Sequence, residues 1–315
     1  NVVLKREPVM NSIFSRTLKA LCIVSTAALF AACGGASSTV NSFTPVRVIG
    51  LGDAYNDVGL AAGAPFTVRG TGTVQTVVEQ IAAYFGVGSV GTPVSDTTYA
   101  TLPAAGVFSY AMGNALITAN TAITTDASLK EQVDRLLADV GTFSSSQDLV
   151  IITVGSRDVR AGVDKATAVD ALIVQLQRLL DANARHILVM PPIERSGGSF
   201  ASQTVAFAND LSGKLYNLLL TEPYKGNPII AASGPNPALL SNFNIYTSYP
   251  TYGEFAASTQ VAYCPTPTVL TGCSVSDGDG TTYATRMFAD DYNLTPAGNR
   301  WVALQLYSAM AQGWR

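Results

Sequence analysis

The chain has 315 residues, enough for one large or two ordinary domains with a sizeable apolar core. Hydrophobic residues make up 48% of the sequence and charged residues 13%, which excludes an intrinsically disordered protein and a coiled coil. The 19 basic and 22 acidic side chains give a formal charge of −3 without a basic cluster, so an electrostatic nucleic-acid binder is excluded as well.

The amino-terminal segment has the pattern of an export signal. After Met10, basic residues precede the apolar segment Ala20–Ala32, which is too short to cross a bilayer. The segment Phe30–Cys33 resembles a bacterial lipobox, so we expect Cys33 to be lipidated. An ordinary secretory signal cleaved near Ala32 is the alternative.

This pattern predicts three parts of the chain. Residues 1–32 would be upstream residues and signal peptide, residues 33–43 the lipidated cysteine and a flexible tether, and residues 44–315 one folded domain. We therefore expect a lipid-anchored protein of the bacterial cell envelope, at the outer membrane. A secreted or periplasmic protein is the alternative.

After residue 44, short apolar runs alternate with amphipathic segments. The runs predict buried strands at Val46–Leu51, Leu149–Val154, Ile187–Met190 and Ile229–Ala232. The amphipathic segments predict helices at Val74–Phe85, Leu129–Val140, Val163–Asn183, Val205–Leu220 and Ala297–Met310. This alternation predicts a single doubly wound, three-layer α/β/α domain with a parallel sheet, whose ligands would lie at the carboxyl ends of the strands.

Two of the four cysteines are left to pair with each other. Cys22 lies in the signal segment and Cys33 would carry lipid, which leaves Cys264 and Cys273 in the long irregular stretch Asn244–Met287. An oxidising compartment would join them in a disulfide. Two thiols without a nearby histidine are a poor zinc site, so we expect no metal there.

Two cofactor patterns fail on inspection. The glycine-rich stretch after the first strand lacks the third glycine of a dinucleotide fingerprint, because Tyr55 stands there. The segment Asp277–Gly280 hints at a calcium loop, but the twelfth position is Phe288 rather than glutamate. We therefore expect neither a nucleotide cofactor nor a metal.

Four motifs in chain order resemble the blocks of the GDSL, or SGNH, esterase and lipase family. They are Gly52–Gly59 (GDAYNDVG), Ser109–Ala115 (SYAMGNA), Gly155–Asp158 (GSRD) and Asp290–Gly298 (DDYNLTPAG). They are spread over most of the predicted domain. The resemblance implies a flavodoxin-like α/β/α fold and, in the family, hydrolysis of carboxylic esters.

The residues at the family's catalytic positions differ from the family pattern. Ala54 stands at the serine nucleophile, Asn293 at the histidine base and Arg157 at the oxyanion-hole asparagine. Asp290 and Gly113 match, as the residue that orients the histidine and as an oxyanion N–H donor. Alanine has no nucleophilic atom and a carboxamide is not a base near neutral pH, so the resemblance implies that hydrolysis is lost. A deliberate inactivation is an alternative origin for two of these changes, but it does not explain Arg157.

Other residues are weaker catalytic candidates. Ser156, Tyr55 and Tyr292 lie near the motifs, but each would need a base within hydrogen-bond reach. His186, the one histidine, opens a predicted strand at its amino end, away from the expected site. Asp53 is expected to bind backbone N–H groups of its turn.

Arg157 has two possible roles. Its guanidinium would either pair with Asp158 or Asp290, filling the space of the absent histidine, or bind a carboxylate or phosphate ligand. The first role is favoured.

The sequence thus predicts an inactive SGNH-like protein that binds an acylated or glycan ligand in the former ester cleft. One alternative is an ester hydrolase with a non-family nucleophile, and another is a structural envelope protein. The expected partners are a small acyl-ester, lipid or glycan ligand and the membrane, without nucleic acid.

Overall fold

A computed structural model describes the chain in ten ranges. These are residues 43–70, 75–88, 91–94, 101–194, 198–220, 223, 229–231, 262–264, 273–276 and 283–313. The predicted signal segment and Cys33 lie outside these ranges, as does the Asp277–Gly280 segment. Among the helices that the structure describes, none is both long and apolar enough to cross a membrane.

Six strands and six α-helices form the described domain. The strands are β1 (Arg47–Gly52), β2 (Thr92–Pro93), β3 (Gly106–Ser109), β4 (Asp148–Thr153), β5 (His186–Met190) and β6 (Ile229–Ala231). The helices are α1 (Val77–Tyr84), α2 (Leu129–Val140), α3 (Ser156–Arg160), α4 (Lys165–Asp181), α5 (Ala201–Leu220) and α6 (Pro296–Gly313), with a 3₁₀ turn at Tyr283–Thr285.

The strands form one parallel sheet in the order β2-β3-β1-β4-β5-β6. β1 and β4 lie at its centre, and every residue of both strands is buried. A strand that is covered on both faces needs a continuous apolar run rather than an alternating one. This is the pattern from which the parallel sheet was predicted, and the prediction is confirmed.

The helices form two groups, one on each face of the sheet. α1 packs on α6, while α4 packs on α2 and α5. From β1 the chain moves by way of α1 to β3, and from β3 by way of α2 back past β1 to β4. Because such crossovers are right-handed, opposite directions of travel place helices on opposite faces. The sheet is therefore doubly wound, and its strand order reverses between β1 and β4.

Local capping sets the helix boundaries. On α2, Ser128 and Glu131 form a capping box and Gly141 ends the helix with a φ of 67°, so the predicted bounds are confirmed. α1 begins at Val77 rather than at the predicted Val74, because Thr76 caps it in a second capping box. The other helices overlap their predicted ranges with ends shifted by a few residues.

Three short elements were not predicted from the sequence. β2 has two residues, β3 has four and α3 has five. Elements this short carry too few positions for a periodic pattern to emerge. β3 nevertheless leads directly into the second motif, and α3 begins inside the third, so both position residues of the candidate site.

Candidate functional site

The motifs meet at the carboxyl ends of β1 and β4, where the strand order reverses. Ligands of doubly wound sheets bind at this crevice. Gly52 ends β1 with a φ of 107°, and a Cβ added there would lie 1.8 Å from the Thr153 carbonyl oxygen. The Gln132 side chain accepts from the Gly52 N–H at 2.6 Å and donates to its carbonyl at 2.9 Å. The backbone at the site is thus tightly held between β4 and α2.

Asp53 follows as a buried carboxyl group. Its N–H donates to the Thr153 carbonyl at 2.7 Å, and the side chain is 1% exposed. The Thr153 and Ser156 hydroxyls face it, but both carboxyl oxygens and both hydroxyls are buried without an aligned hydrogen bond. Burial raises the pKa of Asp53 to about 7. The backbone N–H groups of Tyr55 and Ser156 also face the carboxyl group and lower its pKa, as the expected turn role requires, but they do not offset the cost of burial.

Ala54, at the nucleophile position, lies in a small apolar cluster. The cluster also contains Phe66, Val68, Tyr263, Cys264, Cys273 and Ala289, and Ala54 is 4% exposed there. The predicted Cys264–Cys273 disulfide is present. The Cys264 N–H donates to the Ala289 carbonyl at 2.8 Å, and the Arg69 N–H donates to the Cys273 carbonyl at 2.9 Å. Segments linked by this disulfide therefore form a cover over Ala54.

Asp290 and Asn293 form a hydrogen-bonded pair. Asn293 donates from Nδ2 to Asp290 Oδ2 at 3.1 Å, and its N–H donates to Oδ1 at 2.7 Å. The Tyr292 N–H also donates to Oδ1, at 2.9 Å. Burial raises the pKa of Asp290 above its ordinary value. Asn293 is fully buried and its Oδ1 has no partner. This arrangement orients a carboxamide, which takes up no proton near neutral pH.

Gly113, for which the resemblance predicts a role as an oxyanion donor, directs its N–H to a buried carboxylate. Its N–H donates to Asp57 Oδ2 at 2.8 Å. The same carboxylate accepts the N–H groups of Gly59 at 2.8 Å and Leu60 at 2.7 Å. Desolvation outweighs these donors and raises the pKa of Asp57 to about 6. The Gly113 N–H is thus committed to holding two loops together.

The predicted pairing of Arg157 with Asp158 or Asp290 is wrong. No ion pair within 4 Å joins Arg157 to either of these described carboxylates. Asp158 instead accepts the Ile117 N–H at 3.2 Å, and Asp290 is bound by the N–H groups of its own turn. The half-buried guanidinium donates to the Ile123 carbonyl at 3.4 Å. Backbone donors thus occupy the carboxylates that Arg157 was expected to neutralise.

Arg160 is a residue of the site that sequence reasoning missed. Its guanidinium lies 3.7 Å from the ring centroid of Tyr292 and 5.0 Å from that of Phe200. It also forms an ion pair with Glu194 at 3.5 Å. Burial raises the pKa of Glu194, and Arg160 counteracts this increase. Arg157 and Arg160 are three residues apart on one short helix, a spacing that indicates a shared helix face. The residues that Arg160 contacts are far from it in the sequence, so the spacing alone did not predict them.

Tyr55 and His186, two weaker catalytic candidates from the sequence, are not well placed for catalysis. The Tyr55 hydroxyl donates towards the Ile193 carbonyl at 3.1 Å and the Tyr292 carbonyl at 2.5 Å. Burial raises the pKa of Tyr55 well above its ordinary value, so it is not a phenolate. His186 pairs with Leu149 at the amino end of β5, as predicted, and stacks on Phe43 with ring centroids 3.5 Å apart.

Comparison with known proteins finds likenesses among solved structures and none among sequences. No protein-family model matches the chain, and no curated protein sequence matches it. Among solved structures, the chain is similar to the lipase/acylhydrolase from Enterococcus faecalis. The identity is 15% and the TM-score 0.42, and the match covers 84% of this chain and 95% of that one.

Proposed function

We propose that this protein is an SGNH-like envelope protein that has lost ester hydrolysis and acts by binding a ligand. The four motifs supply the family resemblance, and they meet at the carboxyl edge of a doubly wound parallel sheet. In this proposal Cys33 anchors the protein to a membrane through lipid. The ligand is an acylated molecule or a glycan, bound at or beside the former ester cleft.

The observation that carries the proposal is the pair of Asn293 and Asp290. A serine hydrolase needs a base that takes the nucleophile's proton and a carboxylate that orients this base. Here the carboxylate keeps a partner at 3.1 Å, but the partner is an amide that takes up no proton near neutral pH. Ala54 supplies no oxygen to be activated. Both halves of the acid–base step are therefore missing while the turn that would position them is kept.

The burial of these residues also disfavours ester hydrolysis at Ala54. Ala54, Asp290 and Asn293 are each at most 5% exposed. An ester that reached Ala54 would first have to displace the cover stapled by Cys264–Cys273. A ligand at the former cleft therefore either moves this cover or binds beside it.

Hydrolysis by a non-family nucleophile is the second candidate, and the placement of Ser156 favours it. The Ser156 hydroxyl faces Asp53, whose pKa is raised to about 7, a value suited to a general base. In this alternative Oγ attacks the ester carbonyl while Asp53 takes its proton and returns it to the leaving alcohol. Water then releases the acyl group. The hydroxyl is buried, which weighs against this alternative.

The two candidates are separated by one set of assays. The purified full chain is incubated with p-nitrophenyl acetate and butyrate beside a buffer blank, Asp290→Ala and Ser156→Ala. The proposal expects all three proteins to match the blank. Turnover by the wild type that disappears in Ser156→Ala would establish the second candidate, and turnover that disappears only in Asp290→Ala would also refute the loss of hydrolysis.

A further inference from the structure

The chain enters its folded domain at the amino edge of the sheet, the edge at which the described parallel strands begin. The Phe43 ring stacks on His186, the first residue of β5, with ring centroids 3.5 Å apart. The Val46 N–H donates to the Gln147 carbonyl at 2.9 Å, and the Val46 carbonyl accepts the Gly106 N–H at 2.9 Å. The candidate site lies at the opposite edge, about 20 Å away along the six residues of β4.

The predicted lipid site is close to the amino edge along the chain. Ten peptide units separate Cys33 from Phe43, and a chain of this length spans at most about 35 Å. A lipid on Cys33 therefore holds the amino edge near the bilayer. A tether of this length does not by itself fix the orientation of the domain, which also depends on the surface chemistry of its two edges.

The described loops of the amino edge are almost uncharged. They are residues 85–88, 103–106, 141–147 and 182–185. Arg185 is the one charged residue among them, and the exposed Asp181 at the end of α4 balances its charge. Arg47 and Asp148, the first residues of β1 and β4, form a buried ion pair and add no charge to the surface. Such an edge loses little hydration free energy when it meets a layer of lipid headgroups.

The carboxyl edge has the opposite character. Its described loops contain several charged side chains that are at least partly exposed: Arg69, Asp126, Arg157, Arg160, Asp164 and Asp291. Pressing these groups against lipid would cost free energy, because each charge would lose hydration. The carboxyl edge is thus the poorer surface for contact with a bilayer.

Four half-buried aromatic rings lie where the tether meets the domain. Phe85 packs edge-on against Phe43 with ring centroids 6.2 Å apart, and against Tyr307 with centroids 5.0 Å apart. Tyr84 stacks on Tyr307 at 5.4 Å. Tyrosine is favoured where one end of the side chain is in an apolar environment and the other is wet, as at a membrane interface. These rings add an apolar component to the uncharged loops of the amino edge.

We propose that the amino edge of the sheet rests on the surface of the membrane to which Cys33 is anchored, so that the candidate site faces the water. The inference rests on the lipid anchor of the proposed function and deepens it, because it names the partner surface of the domain. A ligand of the former cleft then reaches the site from the aqueous compartment rather than out of the anchoring bilayer.

Fluorescence quenching on vesicles tests this orientation. Ser146→Cys at the amino edge and Thr121→Cys at the carboxyl edge are exposed positions for a thiol-linked fluorophore. The lipidated full chain is reconstituted into vesicles of phosphatidylcholine and phosphatidylglycerol, with and without a lipid whose headgroup carries a nitroxide. We expect at least about threefold stronger quenching of the label at residue 146, because the edges are about 20 Å apart and a nitroxide quenches only near contact.

Flotation of the labelled protein with the vesicles measures the anchor separately. Protein that does not float would refute the anchor and, with it, the orientation. Protein that floats but shows equal quenching of the two labels, or stronger quenching of the label at residue 121, would overturn the orientation and leave the anchor intact.

A charge variant tests the contact between the amino edge and the lipid. Thr142→Glu places an acid at an exposed position of an uncharged loop, and Ala122→Glu places one at an exposed position of the carboxyl edge. Thr142→Glu should lower the quenching of the label at residue 146, because the acid would lose hydration and meet anionic lipid. Ala122→Glu is the matched control and should leave this quenching unchanged. Equal quenching in Thr142→Glu and in the parent protein would overturn the contact.

Discussion

Asn293 donates a hydrogen bond from Nδ2 to Asp290 Oδ2 across 3.1 Å, inside a turn that also aims two backbone N–H groups at the same carboxylate. The resemblance implies a histidine at the position of Asn293, bonded to the aspartate in the same way. If hydrolysis is lost as we propose, the loss is therefore expected to reside in individual side chains more than in the backbone.

Restoring the catalytic side chains tests this expectation. The triple variant Ala54→Ser, Arg157→Asn, Asn293→His should hydrolyse p-nitrophenyl butyrate above the blank, because it rebuilds nucleophile, base and oxyanion donor around Asp290. Each single variant should stay at the blank, since the members of a triad act as a unit. Adding Asp290→Ala to the triple variant is the control and should lower the rate again.

Two outcomes of that experiment would contradict the expectation. If a single variant were as active as the triple one, the acid–base step would not depend on the rebuilt pair. If the folded triple variant were inactive, the apolar cover over Ala54 or the engaged Gly113 N–H would be the larger obstacle.

The stability of the protein should depend on the protonation of Asp53. Its folded-state pKa is raised from 3.8 to about 7, so between these values the folded protein holds a proton that the unfolded chain releases. This contribution to the free energy of unfolding therefore grows as pH falls from about 7 to 4, by about 1 kcal/mol per pH unit. It is absent well above pH 7.

Urea unfolding of the wild type and Asp53→Asn at pH 8, 7, 6 and 5 measures this term. The wild type should gain stability relative to the variant as the pH falls. His186 contributes in the opposite direction: burial lowers its pKa to about 4, so its contribution to the free energy of unfolding falls as the pH drops below 6.5. Because both proteins contain His186, this contribution cancels in the comparison. A stability difference that is the same at every pH would contradict the prediction.

The Cys264–Cys273 disulfide should stabilise the cover over Ala54. It closes a loop across a sequence separation of 9, for which chain entropy gives about 2–3 kcal/mol. We expect the double variant Cys264→Ser, Cys273→Ser to unfold at lower urea concentration than the wild type. Mass spectrometry of non-reduced peptides should find the two cysteines joined, and two free thiols in protein from the periplasm would contradict this.

The lipid anchor is predicted from the lipobox alone. Cys33→Ser should move the protein from the membrane fraction to the soluble fraction, because a serine cannot accept the thioether-linked lipid. Cys22→Ser, within the predicted signal segment, is the matched control and should leave the protein in the membrane fraction. A Cys33→Ser variant that remains with the membrane would refute the anchor.

Much of the fold could be predicted from local sequence. Ser128, Glu131 and Gly141 lie within a few residues of the helix that they bound, so the ends of α2 were predictable. The continuous apolar runs of β1 and β4 predicted strands buried on both faces. By contrast, β3 was not predicted, because a four-residue run has no periodicity of its own; the structure shows it in register with β1, Val48 against Val107.

The features of the candidate site also divide into those that the sequence predicts and those that only the tertiary structure shows. The sequence by itself determined which atoms are missing, since Ala54 has no hydroxyl and Asn293 no basic nitrogen in any conformation. Only the tertiary structure decided which groups are engaged: Asp57 takes the Gly113 N–H across 56 residues, and Tyr292 stacks on Arg160 from a distant segment. Such pairings depend on which strand ends become neighbours in the sheet and on the high cost of leaving buried polar groups unpaired, and neither can be read from a residue's neighbours in the chain.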